Sequence, residues 1–337
     1  MLNQNGRTAK LPDGPIVITG GAGMIGSMVA WHLNDACDRD DLIIVDHLQH
    51  SDQWQNLCRR RYSDYLDRDQ LFPWLQSGVK PGAVIHMGAI SATTERDVNL
   101  LMQYNFKYSQ ALWQWCARNE VPFLYASSAA TYGDGAHGYD DNVFDPLRPL
   151  NEYGYSKHLF DLWVLRQVAQ RVTPPHWCGF KFFNVYGPNE YHKQDMASMT
   201  WHCFRQIRDT GKIRLFRSAR ADYADGMQLR DFIYVKDAVD VVAHFLAHRH
   251  TSGIFNVGTG KARTFRDLAL AVTHCQERDP AIEWIDMPAG LHGRYQYFTQ
   301  ASLAKLRDAG YTAPFRSLED GVADYVRHYL THPDPYC

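Results

Sequence analysis

The stretch Pro15-Ile-Val-Ile-Thr19-Gly20-Gly-Ala-Gly23-Met24-Ile25-Gly26 decides the fold. Its first five residues are a short apolar run of buried-strand character, and the rest carries glycines at the spacing G-x-x-G-x-x-G. Gly20 suits a tight turn, Gly23 a close backbone approach to pyrophosphate, and Gly26 close packing of helix on strand. A helix continues to about Leu33. Leu42-Ile-Ile-Val45 is a second strand ending in Asp46, twenty residues after Gly26. Strand, glycine turn, helix and strand in this order make a βαβ crossover. Its helix N-terminus offers free N–H groups and positive potential to phosphates. Asp46 is placed to accept hydrogen bonds from an adenosine ribose, which favours NAD over NADP because a 2′-phosphate meets a like charge there. Arg68 nearby offsets that charge, and Asp64 sits where an adenine amino contact falls, or else is a solvated loop acid. Gly88, Ala89 and Ile90, just past a later strand, are small or apolar enough to lie against the cofactor.

The alternation continues outward. Ala83–His86, Pro122–Ser127 and Trp177–Phe183 read as strands, with helices over Asn99–Arg118 and Tyr153–Gln170. Alternating strands and helices predict an α/β fold with a doubly wound, Rossmann-type parallel sheet covered on both faces. Later residues are more mixed. Ile213–Phe216, Asp231–Val235 and Gly253–Val257 are strand-like, and Val235–Leu246, Ser302–Gly310 and Leu318–Tyr329 are helical. The expected organisation is a dinucleotide-binding domain over 15–183, with 231–260 returning to it. A smaller mixed α/β substrate lobe takes 184–230 and 261–330, and 1–14 form an extension.

The composition sets bounds. Of 337 residues, 45% are hydrophobic and 21% charged, with 35 Lys and Arg against 37 Asp and Glu, and no long run of one sign. That speaks against a nucleic-acid footprint or a polybasic membrane patch. The apolar stretches are strand-sized, too short to span a bilayer, and Met1 to Gly14 lack the apolar core of a signal peptide. Seven scattered cysteines without metal-ligand spacing fit a reducing cytoplasm and no metal site.

Chemistry enters with Tyr153-Gly-Tyr-Ser-Lys157. On a helix, residues four apart share a face. A cation near a phenol favours the phenolate and lowers a pKa that is otherwise about 10. The pair is therefore a proton-transfer device for alcohol/ketone chemistry beside a nicotinamide. Ser128, in the segment Ser127-Ser-Ala-Ala-Thr-Tyr-Gly133 after a strand, adds a hydroxyl that can share a substrate oxygen with Tyr153.

With the glycine turn, these residues resemble the extended short-chain dehydrogenase/reductase family, over residues 15–330, in its nucleotide-sugar branch. Five segments narrow the resemblance to that branch's ADP-heptose 6-epimerases: Leu124–Gly133, Tyr153–Asp161, Phe182–Pro188, His192–Ser198 and Gly293–Gln300. The last two are the most specific. The resemblance implies that Ser128 polarises the substrate oxygen, Tyr153 moves its proton, and Lys157 lowers the tyrosine pKa and holds the nicotinamide ribose. It further implies transient oxidation at C6 and return of hydride to the opposite face, with Lys193 as the second proton carrier. One tightly held NADP or NAD per subunit, a cytoplasmic homo-oligomer (a pentamer by family analogy) and a place in lipopolysaccharide core synthesis complete the implied picture. Further cofactor candidates are Met24, Ile25, His47, Gln53, Met87, Asn105 and Val185. Ser91 is a candidate for both ligands. Substrate candidates are Asn184, His202, Phe216, Arg230 and Tyr295 with Lys193 and Asp195. Arg230 is the best anion binder among them, through bidentate pairing with phosphate, or else an ion-pair partner of Asp231.

Three departures from the branch stand out. Gln53 occupies the place of a lysine that reads the NADP 2′-phosphate. Asp195 replaces a small hydroxyl residue, and its carboxylate beside Lys193 is expected to raise the lysine pKa. The stretch Ser218–Gln228 is longer. A 4,6-dehydratase is disfavoured because Ala129 and Ala130 stand where its acidic pair belongs. A UDP-hexose 4-epimerase has no use for a lysine like Lys193, and a non-catalytic dinucleotide sensor none for Ser128, Tyr153 and Lys157.

Overall fold

The computed structural model describes residues 10–49, 51–288, 290 and 293–337, so most of the expected 1–14 extension lies outside it. Twelve strands appear among these residues: β1 (Ile16–Thr19), β2 (Leu42–Asp46), β3 (Asp64–Asp67), β4 (Ala83–His86), β5 (Phe123–Ser128), β6 (Trp177–Phe182), β7 (Asn184–Tyr186), β8 (Lys212–Phe216), β9 (Leu229–Tyr234), β10 (Gly253–Val257), β11 (Ala262–Thr264) and β12 (Ala281–Ile285). The helices are α1 (Met24–Asp35), α2 (Leu71–Gln76), α3 (Val98–Leu101), α4 (Tyr108–Asn119), α5 (Glu152–Ala169), α6 (Met199–Thr210), α7 (Val235–Ala247), α8 (Phe265–Cys275), α9 (Ala304–Asp308) and α10 (Leu318–Tyr325). A π-helical turn, Met102–Lys107, joins α3 to α4.

Seven strands form one parallel sheet in the order β10-β6-β5-β4-β1-β2-β3. The winding reverses between β1 and β4, whose last residues, Thr19 and His86, stand side by side. A crevice at the carboxyl ends of the strands at such a point is where open α/β sheets bind ligands. Side chains alternate across the sheet. Ile16 and Ile18 face a core shared with Met28, Leu33, Val239 and Phe180. Val17 faces a second core with Trp113, Phe123, Tyr125 and Phe160. Strands buried on both faces read as continuous apolar runs, which is why β1, β2, β4 and β10 stood out in the sequence.

The remaining strands form a three-stranded sheet, β11-β9-β7, and a two-stranded one, β12-β8. Of residues 231–260, α7 packs on α1 and β10 edges the large sheet, whereas β9 belongs to the small sheet beside β7. Several elements were not foreseen. The polar strand β3 lacks alternation, β7 has three residues, and β12 is a short run, Ala-Ile-Glu-Trp-Ile, set between polar loops. All seven cysteines are free. No described helix is long and apolar enough to cross a membrane.

Candidate active site

The glycine turn is built as its spacing implies. Gly20 has φ +64, and a Cβ there would meet the Gly88 backbone nitrogen at 2.5 Å. A Cβ on Gly26 would overlap the Gly20 carbonyl oxygen. Gly23 caps α1 without any side-chain hydrogen bond, and the space beside it holds only the Gly20 oxygen at 3.2 Å. The first N–H groups of α1 are thus open to an anion. A cavity of about 180 Å³ follows the crevice, lined by Thr19, Gly20, Asp46, Gln53, Arg68 and Tyr104 among others. These features fit a dinucleotide: an open helix N-terminus for the pyrophosphate, a carboxylate at the end of β2, and small residues at the close approach.

Asp46 is mostly turned inward. Its Oδ2 accepts from the Ala22 N–H and its Oδ1 from the His47 N–H, both at 2.8 Å. Burial raises its pKa against those bonds. His47 pairs with Asp67 at 2.8 Å, and the Arg68 guanidinium lies 3.7 Å from the Tyr104 ring centre. Asp64, the expected adenine contact, is misplaced. It pairs with Ile43 at the amino end of β3. Asp67, level with Asp46, and Arg68 take the carboxyl end, and three residues of strand are about 10 Å. Asn105, expected on the cofactor, is buried behind the crevice. Its Oδ1 accepts from Ile90 N–H at 2.8 Å, and its Nδ2 donates to Ile90 O and to Ser156 at 3.0 Å. It positions the 88–91 loop instead.

A second cavity, of about 380 Å³, adjoins the 88–91 loop. Ser128 enters from the end of β5, Tyr153 and Lys157 from the first turns of α5, and Lys193 from the 3₁₀ segment Tyr191–Met196. Ile25, Met87, Ala89, Ser91, Asn184 and Val185 share its wall. Asn151 caps α5 by accepting from Gly154 N–H at 2.7 Å, which sets where Tyr153 and Lys157 leave the helix. Burial raises the Tyr153 pKa, and a hydrogen bond with Ser128 opposes the rise. The expected lowering by Lys157 is not reached, because the lysine ammonium is turned to the Ala126 carbonyl at 2.8 Å.

Burial pushes the Lys157 pKa down to about 8. Between there and the usual lysine value of about 10.4 the unfolded chain binds more protons than the folded one, so this group makes the fold more stable as pH rises through that window. Lys157→Met in cofactor-free protein is therefore expected to match or exceed the wild-type urea midpoint at pH 7.5 and to lose that advantage at pH 10.5, while the cofactor-loaded variant is expected to be inactive. A lower midpoint at pH 7.5 would count against a strained ammonium.

Lys193 lies with its ammonium 3.4 Å from the Met24 sulfur. Burial lowers its pKa, opposed by the Glu190 carboxylate. Asp195, expected to pair with it, is exposed and offers its backbone oxygen to His202 at 3.3 Å. The reason is the backbone: Gln194 takes φ 48 between them and turns the chain away. Glu190, which the sequence reading missed, lines the cavity and accepts from Ser198 N–H at 2.6 Å and Ser198 hydroxyl at 2.7 Å.

Five substrate candidates lie outside this cavity's wall: His202 and Asp195 on the far side of the turn, Phe216 at the end of β8, Arg230 and Tyr295. Tyr295 instead joins Arg230, whose guanidinium sits 4.8 Å from its ring centre. Arg230 is not Asp231's partner. That carboxylate accepts from the N–H groups of Thr259, Gly260 and Ala301. Arg230 is buried, and its one side-chain hydrogen bond among the described residues goes to Leu229 O. A buried guanidinium without a carboxylate suits an incoming anion.

A doubly wound sheet, a glycine turn at its switch point, and a Ser–Tyr–Lys set over the adjoining cavity are the architecture of nicotinamide-dependent alcohol/ketone enzymes. The chain belongs to the NAD dependent epimerase/dehydratase family, whose sequence model matches residues 16–258. It is 51% identical over 325 residues to the ADP-L-glycero-D-manno-heptose-6-epimerase of Nitratidesulfovibrio vulgaris, covering 95% of this chain and 99% of that protein. It is 48% identical over 334 residues to the enzyme of that name from Fusobacterium nucleatum, with the same coverage. Among solved structures, the Helicobacter pylori ADP-L-glycero-D-manno-heptose-6-epimerase superposes with a TM-score of 0.79 at 26% identity, covering 96% of this chain and 97% of that one. The Thermus thermophilus UDP-glucose 4-epimerase with NAD shares the fold, with a TM-score of 0.72 at 22% identity, covering 93% and 98%.

Proposed function

We propose that this protein inverts C6 of ADP-D-glycero-D-manno-heptose, as an ADP-L-glycero-D-manno-heptose 6-epimerase. One observation carries the reading: Ser128, Tyr153, Lys157 and Lys193 all line one cavity beside the dinucleotide crevice, in a chain about half identical to proteins of that name. The nicotinamide, when bound, accepts a hydride and returns it. The chain's own residues handle protons and orientation. The Ser128 hydroxyl donates to the C6 oxygen. Tyr153, whose phenolate Ser128 favours, takes the hydroxyl proton when C6 is oxidised in the first orientation and gives it back only when the reaction runs in reverse. Lys157 supplies positive charge on the same helix face. C6 lies outside the sugar ring, so rotation about C5–C6 presents the other face of the ketone without turning the ring. Lys193, its pKa lowered by burial, serves the oxygen in that second orientation. Arg230 with Tyr295 takes the diphosphate end. Acceptance of a 2′-phosphate turns on Asp46 against Arg68, and the nucleotide released on denaturation reads NAD or NADP directly. The same reading makes the protein a cytoplasmic homo-oligomer that supplies a lipopolysaccharide core precursor.

The test is proton NMR of C6 epimerisation by purified protein without added cofactor, with Lys193→Met beside wild type. Wild-type turnover with a loss of roughly 10²-fold or more in Lys193→Met is expected. Turnover that survives Lys193→Met removes that lysine from proton transfer. A cofactor-loaded wild type that leaves C6 unchanged overturns the substrate.

A further inference from the structure

Behind the cavity, α5 carries Asp161 one turn beyond Lys157, fully buried. Its carboxylate lies 2.9 Å from the Lys181 ammonium of β6, which is also fully buried. It further accepts from the Tyr125 hydroxyl at 3.0 Å and the Ser127 hydroxyl at 2.7 Å, both on β5. Lys181 donates to Thr131 Oγ1 at 2.6 Å, and the Thr131 hydroxyl donates to the Ser128 carbonyl at 2.8 Å. The rings of Tyr132 and Phe144 close over the ammonium at 4.8 and 5.1 Å. A continuous set of hydrogen bonds thus runs from the helix bearing Tyr153 and Lys157 to the strand and turn bearing Ser128.

A buried ion pair is weak evidence for stability, since desolvation offsets its attraction. Its value has to be sought elsewhere, and here every bond it makes ends on a segment that holds an active-site side chain. We propose that Asp161 and Lys181 are positioning residues for the reaction: they lock Ser128 in register with Tyr153 and Lys157 and balance the charge behind them. The inference rests on the Ser128–Tyr153–Lys157 reading above.

The sign of the charge effect follows from the surroundings. Asp161 favours the neutral phenol of Tyr153 and the charged form of Lys157. Lys181 screens that carboxylate. The other polar or ionisable neighbours are Ser128 on Tyr153, His86 on the β4 side of Lys157, His158 with Arg148 and Asp145 near the pair, and Lys305 with Asp141 beyond Lys181. Of these, His158 feels both members of the pair and Lys305 feels Lys181, so either replacement acts on them as well as on Tyr153. Lys181→Met exposes the carboxylate, still held by two hydroxyl donors, to Tyr153. Asp161→Asn removes it.

The experiment titrates ζ-¹³C-tyrosine in full-length, cofactor-loaded protein by NMR, with Tyr153 assigned from the Tyr153→Phe spectrum. The Tyr153 midpoint is expected to rise in Lys181→Met, to fall in Asp161→Asn, and to lie between them in the double variant, the singles differing by roughly one pH unit or more. Midpoints that do not move, or that move in the same direction, overturn the charge-balancing role. If a single variant does not fold, Thr131→Val and Ser127→Ala cut the links without altering charge. Each is expected to lower kcat at least tenfold with KM little changed, and wild-type kcat in both overturns the register role. The NMR titration needs no sugar, so failure of the heptose reading in the epimerisation assay leaves this result standing, and the reverse.

Discussion

Tyr153→Phe is expected to lower the rate of C6 inversion by roughly 10³-fold or more, within the range by which proton-transfer groups accelerate reactions, while nucleotide-sugar affinity stays within about threefold of wild type. The phenol oxygen is the group lost. The ring remains in a site bounded by α5 and the end of β5, so packing and binding survive. The half-buried Tyr153 has a hydroxyl partner in Ser128, and that partner gains no acid or base of its own when the phenol is removed. Ser128 is left with the Ala130 N–H, which donates to its hydroxyl at 3.1 Å, so the local turn is kept. Single-turnover reduction of the bound nicotinamide, measured with sugar affinity by calorimetry, checks both halves. A variant that keeps more than a tenth of wild-type turnover would remove Tyr153 from the proton path.

Gly26→Ala is expected to act on the fold before it acts on chemistry. The added methyl would overlap the Gly20 carbonyl oxygen and meet Gly21 Cα at 2.9 Å. Both obstacles are backbone, so no side-chain rotation relieves them, and α1 must move away from β1. Overpacking of this kind costs about 1–3 kcal/mol, which for a chain of this size is a drop of roughly 1.5–4 °C in Tm. Displacing the α1 N-terminus also moves the N–H groups that face the pyrophosphate, so cofactor affinity should fall at least about tenfold. Gly23→Ala makes the contrast. Its φ of −70 suits alanine, and its methyl meets only the Gly20 oxygen at 3.2 Å. Thermal melts and cofactor titrations of the two variants should show Gly26→Ala losing both stability and binding, and Gly23→Ala losing mainly binding. Equal Tm values would mean that α1 tolerates the shift and that the glycine serves the ligand alone.

Particular residues show how far the sequence reached. The glycine spacing, the apolar runs of β1, β2 and β4, and Tyr153 with Lys157 were legible because each is a local pattern: a turn, a strand, two residues one helical turn apart. Asp64 went wrong because β3 was not seen, and a strand's direction and end decide which of its residues meets a ligand. The Asp195–Lys193 pairing went wrong because one positive φ at Gln194 reverses the path between them. Glu190, Asp161 and Lys181 carried no signal beyond a charged letter.

The sequence by itself determined the winding of the sheet, the glycine turn at its switch point and the placing of Tyr153 and Lys157 on one helix face. Those depend on hydrophobic periodicity, glycine's backbone freedom and helical spacing, all of which act over a few residues. Only the tertiary structure decided which charges are buried, what Lys157 and Lys193 face, and that Arg230 is free of Asp231. Such facts depend on desolvation and on partners distant in the chain, as Asp161 and Lys181 are, and no local pattern records which residues the fold will bring together.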